Sequence, residues 1–490
     1  MARPFRLSPQ SLRISAPDIQ TVTLSIICFI IIPNLPYVFW LAKLAPTRAV
    51  VNIDYIVVGI ISLAIPAFWA MLLYVLVTII DVFVFISAAY HFSPRELVYS
   101  LQYSRYSPIS LVDLPMLSIG AFVANLALGL WIVYKVRARA NWVVPAVLSI
   151  LLCTITLVDI ASGSNTFGLF THLPFYTRNQ RIAVNPANSG LVAIDLASFI
   201  PTKQRPVMTK AESASGDALG SWENLFRRSG TEANIALVIV ESWGRVDDEA
   251  RLTNALLAPL LTPAITARYD VTIGSVPFHG STTNAELREL CGLRGNYRDL
   301  LDLPRFRCLP DVMAGRGFDT IGLHGFYHDM FDRTSWWPSI GVKKFLFLDD
   351  FRRLGYTRTC GNAFPGLCDD DLINVMGNHL TSPHHLVYAL TINSHLPIAP
   401  SGDVDGTLSC SALAVPLDNL PCALAQRWRR TFVAIARNAL RVDIKPTQFV
   451  VVGDHSPPLL GTTQQKFSLS RVPYIVLTPR ADARSEHSER

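Results

Sequence analysis

Charged residues are scarce in this sequence of 490 residues. Asp, Glu, Lys and Arg together make up 16% of the chain, and apolar residues make up 50%. Soluble globular proteins carry roughly 25% charged residues, so this composition argues against a protein that is soluble throughout. The net charge of +6 is modest and the basic residues form no extended stripe, which disfavours binding to nucleic acid.

Long apolar runs are confined to the N-terminal third of the chain. A hydrocarbon core about 30 Å thick needs roughly 20 apolar helical residues to cross it. The run 51–91 is about twice that length and contains Pro66, which breaks helices, so we interpret it as two segments. We therefore predict an α-helical transmembrane domain over residues 1–162 with five spans, at about 22–43, 52–70, 72–91, 113–134 and 142–161.

Basic residues next to these spans predict their orientation. Two basic clusters flank the spans: Arg3, Arg6 and Arg13 before the first, and Lys135, Arg137 and Arg139 after the fourth. Such clusters face the cytoplasm, so five spans place the rest of the chain on the other side. We expect a multi-pass protein of a bacterial inner membrane with its large C-terminal part in the periplasm. Residues 92–112 are interpreted either as an interfacial helix or as an ordered loop.

Six of the eight cysteines lie in the C-terminal part as near neighbours. The pairs are Cys291 with Cys308, Cys360 with Cys368, and Cys410 with Cys422. In an oxidising periplasm, three short disulfide loops are the simplest arrangement. The alternative is a zinc site built from thiolates, which the lack of a C-x-x-C pair disfavours.

Four short apolar runs predict buried parallel strands. They are residues 234–240, 319–323, 386–392 and 448–452. We assign residues 163–230 to a juxtamembrane linker and 231–490 to an α/β domain, because strands here alternate with helical stretches. Ligand sites of such domains gather at the carboxyl ends of the strands.

Polar residues follow each predicted strand: Glu241, Asp454 with His455, His395 and His324. Carboxylates combined with an imidazole suit Zn²⁺, with Mn²⁺ as a second choice. The alternative for each residue is structural, since a carboxylate after a strand often caps a helix. The sequence leaves open whether one or two metal ions bind.

A candidate nucleophile lies among three adjacent hydroxyl residues, Ser281, Thr282 and Thr283, which precede a predicted helix at 285–293. A hydroxyl at this position is often a helix N-cap. A helix N-terminus also stabilises a bound phosphate through its N–H groups and dipole.

At these residues the chain resembles the sulfatase-like branch of the alkaline phosphatase superfamily, in particular lipoteichoic acid synthases and lipid A phosphoethanolamine transferases. Val240-Glu241-Ser242 looks like the first metal motif, and Gly453-Asp454-His455 looks like the late metal pair. The segment 280–286 is similar to the nucleophile motif Gly-x-Thr-x-x-Ala-Glu. The resemblance implies a zinc site formed by Glu241, Thr282, Asp454 and His455, with Thr282 as nucleophile and Thr283 as the alternative.

The resemblance also implies substrate-binding residues. Ser394-His395-x-Pro397 is similar to a segment whose His contacts the transferred phosphate, and His324 with Phe331 and Arg333 resembles a second phosphate-binding stretch. Both histidines are expected to donate hydrogen bonds to phosphoryl oxygens. For Arg333 the alternative is a surface ion pair.

The activity that the resemblance implies is headgroup transfer, and we expect the protein to be a monomer. A phosphoethanolamine or phosphoglycerol group would move from a membrane phospholipid, through a phosphothreonine, to an envelope glycan or lipid A. No further His occurs in 456–461, which is Ser-Pro-Pro-Leu-Leu-Gly, and this puts the phosphoethanolamine headgroup in doubt. Cys308-Leu-Pro-Asp-Val312 lacks the Arg of the sulfatase motif, so sulfatase activity is disfavoured. A hydrolase of the same fold and a non-catalytic scaffold are the alternatives.

Overall fold

A computed structural model of the chain describes residues 16–41, 51–89, 94–106, 116–139, 142–161, 187–188, 208–216, 233–246, 250–300, 307–396, 398, 408, 419–457, 467–468 and 470–480. These residues form two compact units. The first comprises Met1–Ala89, Ser110–Phe175 and Gln180–Thr202, and the second comprises Tyr90–Ile109, Tyr176–Asn179 and Lys203–Arg490. The segment around residues 90–109 therefore groups with the C-terminal unit, although it lies between helices of the first.

The α-helices follow one another in this order: α1 Ala16–Ile26, α2 Ile32–Leu41, α3 Asp54–Ser62, α4 Ala67–Ala89, α5 Pro94–Ser100, α6 Met116–Arg139, α7 Val143–Ala161, α8 Ala250–Leu257, α9 Pro263–Arg268, α10 Thr282–Cys291, α11 Leu309–Gly315, α12 Arg333–Ser339, α13 Leu348–Arg353, α14 Asp369–His379 and α15 Asn419–Ala439. A π-helical turn, Ile27–Ile31, joins α1 to α2, and a 3-10 turn, Leu101–Tyr106, follows α5.

The strands are β1 Val51–Asn52, β2 Ala187–Asn188, β3 Thr209–Lys210, β4 Asn234–Val240, β5 Tyr269–Pro277, β6 Leu293–Arg294, β7 Asp319–His324, β8 Lys344–Leu346, β9 Thr359–Cys360, β10 Gly366–Leu367, β11 His385–Leu390, β12 Thr447–Gly453 and β13 Arg471–Pro479.

The first unit contains the predicted membrane helices, with one important difference. The predicted break near Pro66 is confirmed, because α3 ends at Ser62 and α4 begins at Ala67. However, α3 has only nine residues, so it is roughly 14 Å long and cannot cross a hydrocarbon core by itself. The predicted helix over 52–70 is therefore wrong in extent.

Two helical stretches of the described residues are long and apolar enough to cross a membrane. They are Asp18–Pro36 and Ala67–Val84, and Val143–Val158 is a shorter apolar stretch. On α4 the large apolar side chains of Phe68, Trp69 and Ile79 are exposed, which suits a lipid surface better than water. Five membrane crossings stay a prediction, as do the linker and the orientation.

The second unit is built on a mixed sheet of seven strands in the order β5-β13-β12-β4-β11-β7-β8. The five strands from β12 to β8 are parallel, whereas β13, next to the edge, is antiparallel to both of its neighbours, β12 and the edge strand β5. All four strands predicted from the sequence are present and adjacent, so the α/β prediction is confirmed. The antiparallel edge was not predicted.

Both faces of this sheet are covered, which explains why the middle of each central strand is apolar. Along β4, Ala236 and Val238 join one buried cluster with Trp428 and Phe432 of α15. Leu237, which lies between them in the sequence, points to the other face and joins a second buried cluster that includes Trp336 and Trp337 of α12. Alternate side chains of a strand point to opposite faces, so successive residues of a doubly covered strand are all buried.

Two of the three predicted disulfides are present. Cys291 is bonded to Cys308, and Cys360 is bonded to Cys368. The third predicted pair, Cys410 with Cys422, lies outside the residues whose side chains are described.

Gly453 at the end of β12 allows a close approach of two backbone segments. A Cβ added there would lie 2.0 Å from the carbonyl oxygen of Trp243, whereas one added at Gly315 would meet nothing within 4 Å. We predict that Gly453→Ala lowers the free energy of unfolding by about 1–3 kcal/mol, the usual cost of overpacking. Thermal unfolding of the full chain in detergent would measure this change. Gly315→Ala is the matched control, and equal midpoints for the two variants would contradict the prediction.

Candidate metal centre and active site

Glu241, Asp454 and His455 meet at the carboxyl end of the central sheet. Glu241 follows β4, and Asp454 with His455 follows β12, which is paired in parallel with β4 so that Gly453 lies opposite Val240. One candidate ligand atom from each of the three residues lies within 4.8 Å of the others. Adjacency of two strand ends, and not nearness in sequence, therefore creates the cluster.

Burial and neighbouring charges give two residues of this cluster, Asp454 and His455, raised pKa values. Burial, followed by the charge of Glu241, raises the pKa of Asp454 to about 7. Burial lowers the pKa of His455, but the charges of Asp454 and Glu241 outweigh it, and the net shift is upward. A site that retains protons in this way has an excess of negative charge that a cation can compensate.

The orientation of His455 fits a metal ligand. Its Nδ1 lies 2.9 Å from the carbonyl oxygen of Ser456, which only accepts, so Nδ1 carries the proton and Nε2 holds a lone pair in the neutral ring. That Nε2 lies 3.3 Å from Oδ2 of Asp454 and 3.7 Å from Oε1 of Glu241. Two carboxylates facing an imidazole lone pair are a donor set that suits Zn²⁺ or Mn²⁺.

Thr282 brings a hydroxyl to the same cluster. Its Oγ1 lies 3.0 Å from Oδ2 of Asp454 and 3.3 Å from Oε2 of Glu241. Thr283 is buried, and its Oγ1 lies 3.3 Å from that of Ser281 instead. Of these three neighbouring hydroxyls, the one that contacts the carboxylates is that of Thr282.

The start of α10 explains this placement. The helix begins at Thr282, three residues earlier than predicted, and Ser281 is its N-cap residue. Gly280 has a φ of +72°, a conformation that glycine adopts without strain, and it turns the chain from β5 into the helix. Thr282 therefore lies in the first helical turn, where free N–H groups favour an anion.

His324 and His395 line the same cavity as Thr282. Burial favours the neutral form of both imidazole rings. Burial lowers the pKa of His395 to about 4, and it lowers that of His324 well below its usual value. In each ring Nδ1 lies against a carbonyl oxygen, of Leu390 for His324 and of Leu396 for His395. Nε2 of His324 is buried and has no hydrogen-bond partner among the described residues.

Arg333 lines the cavity but is held by a buried ion pair. Its guanidinium donates to Glu286 of α10 at 2.8 Å and to the carbonyl oxygen of Met330 at 3.1 Å. Trp337 also donates to Glu286, at 3.0 Å. The alternative expected for Arg333, an ion pair, is thus present, but it is buried and not on the surface.

Arg288 holds the carboxyl end of β12, which carries the candidate metal ligands, and sequence reasoning missed it. Its guanidinium donates to the carbonyl oxygens of Gly453, at 2.7 Å, and Asp454, at 3.2 Å. Its Nε donates to Glu289, which in turn accepts from the backbone and hydroxyl of Ser215. The clamp fixes α10 to the strand end, so the hydroxyl of Thr282 and the carboxylate of Asp454 keep their spacing. A basic residue on α10, the helix that begins at Thr282, was the one available signal in the sequence.

Asp369 holds the loop that carries His395, and it was also missed. Its carboxylate accepts from the backbone N–H groups of Ile392 and Asn393, and Asn393 accepts in return from the N–H of Asp369. Burial raises the pKa of Asp369 to about 7, although the two N–H groups oppose that shift. Sequence gave no sign of this contact, since 23 residues separate Asp369 from Ile392.

The cavity that these groups share is small. Its volume is about 160 Å³, and its described lining combines the candidate ligands with hydroxyl, aromatic and aliphatic side chains. The lining residues outside the cluster and the histidines include Ser100, Tyr103, Met330, Phe331, Phe364 and Leu396.

Models of known protein families and the curated proteins gave no match to this chain. Among solved structures, the chain is similar to a lipoteichoic acid synthase, LtaP, from Listeria monocytogenes, with 13% identity and a TM-score of 0.35 over 52% of this chain and 71% of that one. It is similar to a protein in the alkaline phosphatase superfamily from Vibrio parahaemolyticus, with 14% identity and a TM-score of 0.35 over 57% of this chain and 66% of that one.

A third similar structure is the Streptococcus pyogenes phosphoglycerol transferase GacH in complex with sn-glycerol-1-phosphate, with 16% identity and a TM-score of 0.35 over 55% of this chain and 77% of that one. Because the TM-scores lie below 0.5, we draw no conclusion about activity from them.

The buried pair of Arg333 and Glu286 gives a testable expectation. Arg333→Leu leaves the Glu286 carboxylate buried and uncompensated, so we predict a loss of about 3–5 kcal/mol in stability. Arg352→Leu is the matched control, because Arg352 pairs with Asp349 on the surface and such pairs contribute roughly 0–1 kcal/mol.

Thermal unfolding of the purified chain would compare the two variants. Removing both partners, as Arg333→Leu with Glu286→Leu, should recover much of the loss, because no buried charge remains. If Arg333→Leu were as stable as Arg352→Leu, the ion pair would not support the site.

Proposed function

We propose that this protein is a metal-dependent transferase that moves a phospholipid headgroup phosphate through Thr282 onto a hydroxyl of an envelope glycan or lipid A. The observation that carries the proposal is the contact of the Thr282 hydroxyl with both Glu241 and Asp454. A hydroxyl placed at a helix N-terminus and against a candidate metal cluster is arranged as a nucleophile toward an anionic phosphate.

Glu241, Thr282, Asp454 and His455 would hold the metal ion, and Zn²⁺ is the first choice for this donor set. When bound, the ion would lower the pKa of the Thr282 hydroxyl and offset charge on the phosphoryl oxygens. Asp454 Oδ2, 3.0 Å from the hydroxyl, is the nearest acceptor for the proton that Thr282 loses.

The transfer has two balanced steps. In the first, the Thr282 oxygen forms a bond to the donor phosphorus, the bond from phosphorus to the diacylglycerol oxygen breaks, and diacylglycerol leaves with a proton. In the second, an acceptor hydroxyl forms the bond to phosphorus, loses its proton, and the Thr282 oxygen leaves. Thr282 is thereby restored.

His324, His395 and Arg333 would lie around the transferred phosphate. Since Nδ1 of each histidine faces a carbonyl oxygen, Nε2 can donate to a phosphoryl oxygen only if the ring is charged. An anionic phosphate in the cavity raises the pKa of both rings and favours that state. The expected role as donors thus requires proton uptake on substrate binding. The membrane helices would hold the site near the outer leaflet of the inner membrane, where the donor is concentrated.

The proposal predicts that Thr282→Ala abolishes transfer. Purified full chain would be incubated in vesicles with a labelled phospholipid and a glycan acceptor, and peptide mass spectrometry would detect the headgroup phosphate on Thr282. The matched control is Thr283→Ser, because Thr283 neighbours the nucleophile but its hydroxyl faces Ser281. Undiminished transfer by Thr282→Ala would refute the assignment.

The same assay separates the transferase from its alternatives. Headgroup phosphate released to water at equal rates with and without the glycan would indicate a hydrolase. A protein that retained no stoichiometric metal and formed no adduct would be a scaffold.

Metal affinity should depend on pH in a defined direction. The metal competes with a proton on Asp454, whose pKa is about 7, and with one on His455, whose pKa is raised. Affinity should therefore rise as pH increases through about 7, by about tenfold per pH unit for each proton displaced. Competition with a chelator between about pH 6 and about pH 8 would measure it, and a flat profile would contradict the prediction.

A further inference from the structure

Residues 94–106, which we name the inter-helix segment, contact the helix that begins at Thr282. The segment consists of α5 and the 3-10 turn after it, between α4 and α6 in the chain, and it groups with the sheet in one compact unit. Oε1 of Glu96 accepts a hydrogen bond of 2.7 Å from Nδ2 of Asn284, 188 positions away in the chain. Asn284 lies in the first turn of α10, two residues after Thr282. The segment therefore reaches the start of this helix.

The first turn of α10 lacks the side-chain cap that usually holds a helix start. A Ser at the N-cap position normally accepts a hydrogen bond from an N–H group of the first turn, but the Ser281 side chain makes no such bond. Its Oγ lies 3.3 Å from Oγ1 of Thr283 instead. The backbone N–H of Asn284 donates to the carbonyl oxygen of Ser281 at 2.9 Å. Glu96 thus supplies a side-chain contact that the turn does not supply itself.

Asn284 transmits this contact to the turn that precedes Thr282. Its Nδ2 lies 2.5 Å from the position that a Cβ would occupy at Gly280, so the amide packs directly against the backbone there. Gly280 has a φ of +72° and no side chain that would restrict its conformation. By holding the Asn284 amide, Glu96 limits movement of the chain on both sides of Thr282.

The inter-helix segment is attached to the α/β domain by other contacts as well. Three of them lie near its C-terminal end: an ion pair of 3.1 Å between Arg105 and Asp329, a stack of Tyr106 on Tyr327 at 5.2 Å between ring centres, and a ring contact of 4.9 Å between Tyr103 and Phe331. Loss of the hydrogen bond from Asn284 to Glu96 would therefore leave these attachments in place. Its main effect would fall on the start of α10.

The position of Thr282 matters because its hydroxyl contacts two carboxylates, at 3.0 Å from Asp454 and 3.3 Å from Glu241. A misplacement of about 1 Å in a reacting group can cost about 100-fold in rate. We propose that Glu96 is a positioning residue for Thr282, which acts through Asn284 and contacts no substrate. This inference rests on the proposed transfer function, to which it adds a residue from outside the sheet.

Glu96→Ala should lower the maximal rate of adduct formation on Thr282 by about tenfold or more, the scale of one hydrogen bond to a charged group. The donor concentration that gives half of this rate should stay nearly unchanged. The reason is that the described cavity lining includes Ser100 and Tyr103 of the segment but neither Glu96 nor Asn284, so the variant removes no substrate contact. Purified full chain in vesicles with labelled phosphatidylglycerol and phosphatidylethanolamine as donors would give both values.

A partner variant shows whether the effect passes through the hydrogen bond. Asn284→Ala should slow adduct formation to a similar extent. The double variant, Glu96→Ala with Asn284→Ala, should be no slower than the slower single variant, because both changes remove the same contact. Arg105→Ala is the matched control, since it removes a contact of the same segment that does not involve α10, and it should keep the wild-type rate. Thermal unfolding would verify that all variants are folded.

The outcomes separate this inference from the proposed function. A wild-type rate in Glu96→Ala would overturn the positioning role and leave the transfer proposal intact. An equal loss in Arg105→Ala, losses that multiply in the double variant, or a higher half-saturating donor concentration at an unchanged maximal rate would also overturn it. If the wild type formed no adduct on Thr282 with either lipid, both proposals would fail.

Discussion

The site depends on the burial of Glu241, Asp454 and His455 within reach of one another. Burial raises the pKa of Asp454 to about 7 and leaves the cluster with more negative charge than the protein itself compensates. Such an arrangement is unfavourable in isolation, so it requires a bound cation or protons and a rigid support. Much of the surrounding hydrogen bonding can be understood as that support.

The support comes from polar groups that hold backbone atoms next to the cluster. Arg288 binds the carbonyl oxygens of Gly453 and Asp454, and Ser394 and Trp428 both donate to the carbonyl oxygen of Glu241. Glu286, further along α10, forms a buried ion pair with Arg333 of α12. Each of these side chains holds a residue next to the cluster in place. Its loss would therefore displace the candidate metal ligands without removing any of them.

Residues 94–106 contribute to the candidate site although they precede α6 in the chain. A segment bounded by apolar helices contributes Ser100 and Tyr103 to a cavity whose chemistry comes from the sheet. The α/β domain thus supplies Thr282 and the candidate metal ligands, while residues 94–106 supply part of the cavity lining.

The sequence by itself determined the four central strands, the order of the polar residues after them and two disulfides, because apolar runs and residue spacing are local properties. It also indicated the break at Pro66. It overestimated α3, since apolar composition between residues 52 and 70 does not reveal where a helix ends. Only the tertiary structure decided that Thr282 and not Thr283 faces the carboxylates, that Arg333 is held by Glu286, and that residues 94–106 line the cavity. These outcomes depend on contacts between residues far apart in the chain, and the packing of strands and helices determines such contacts.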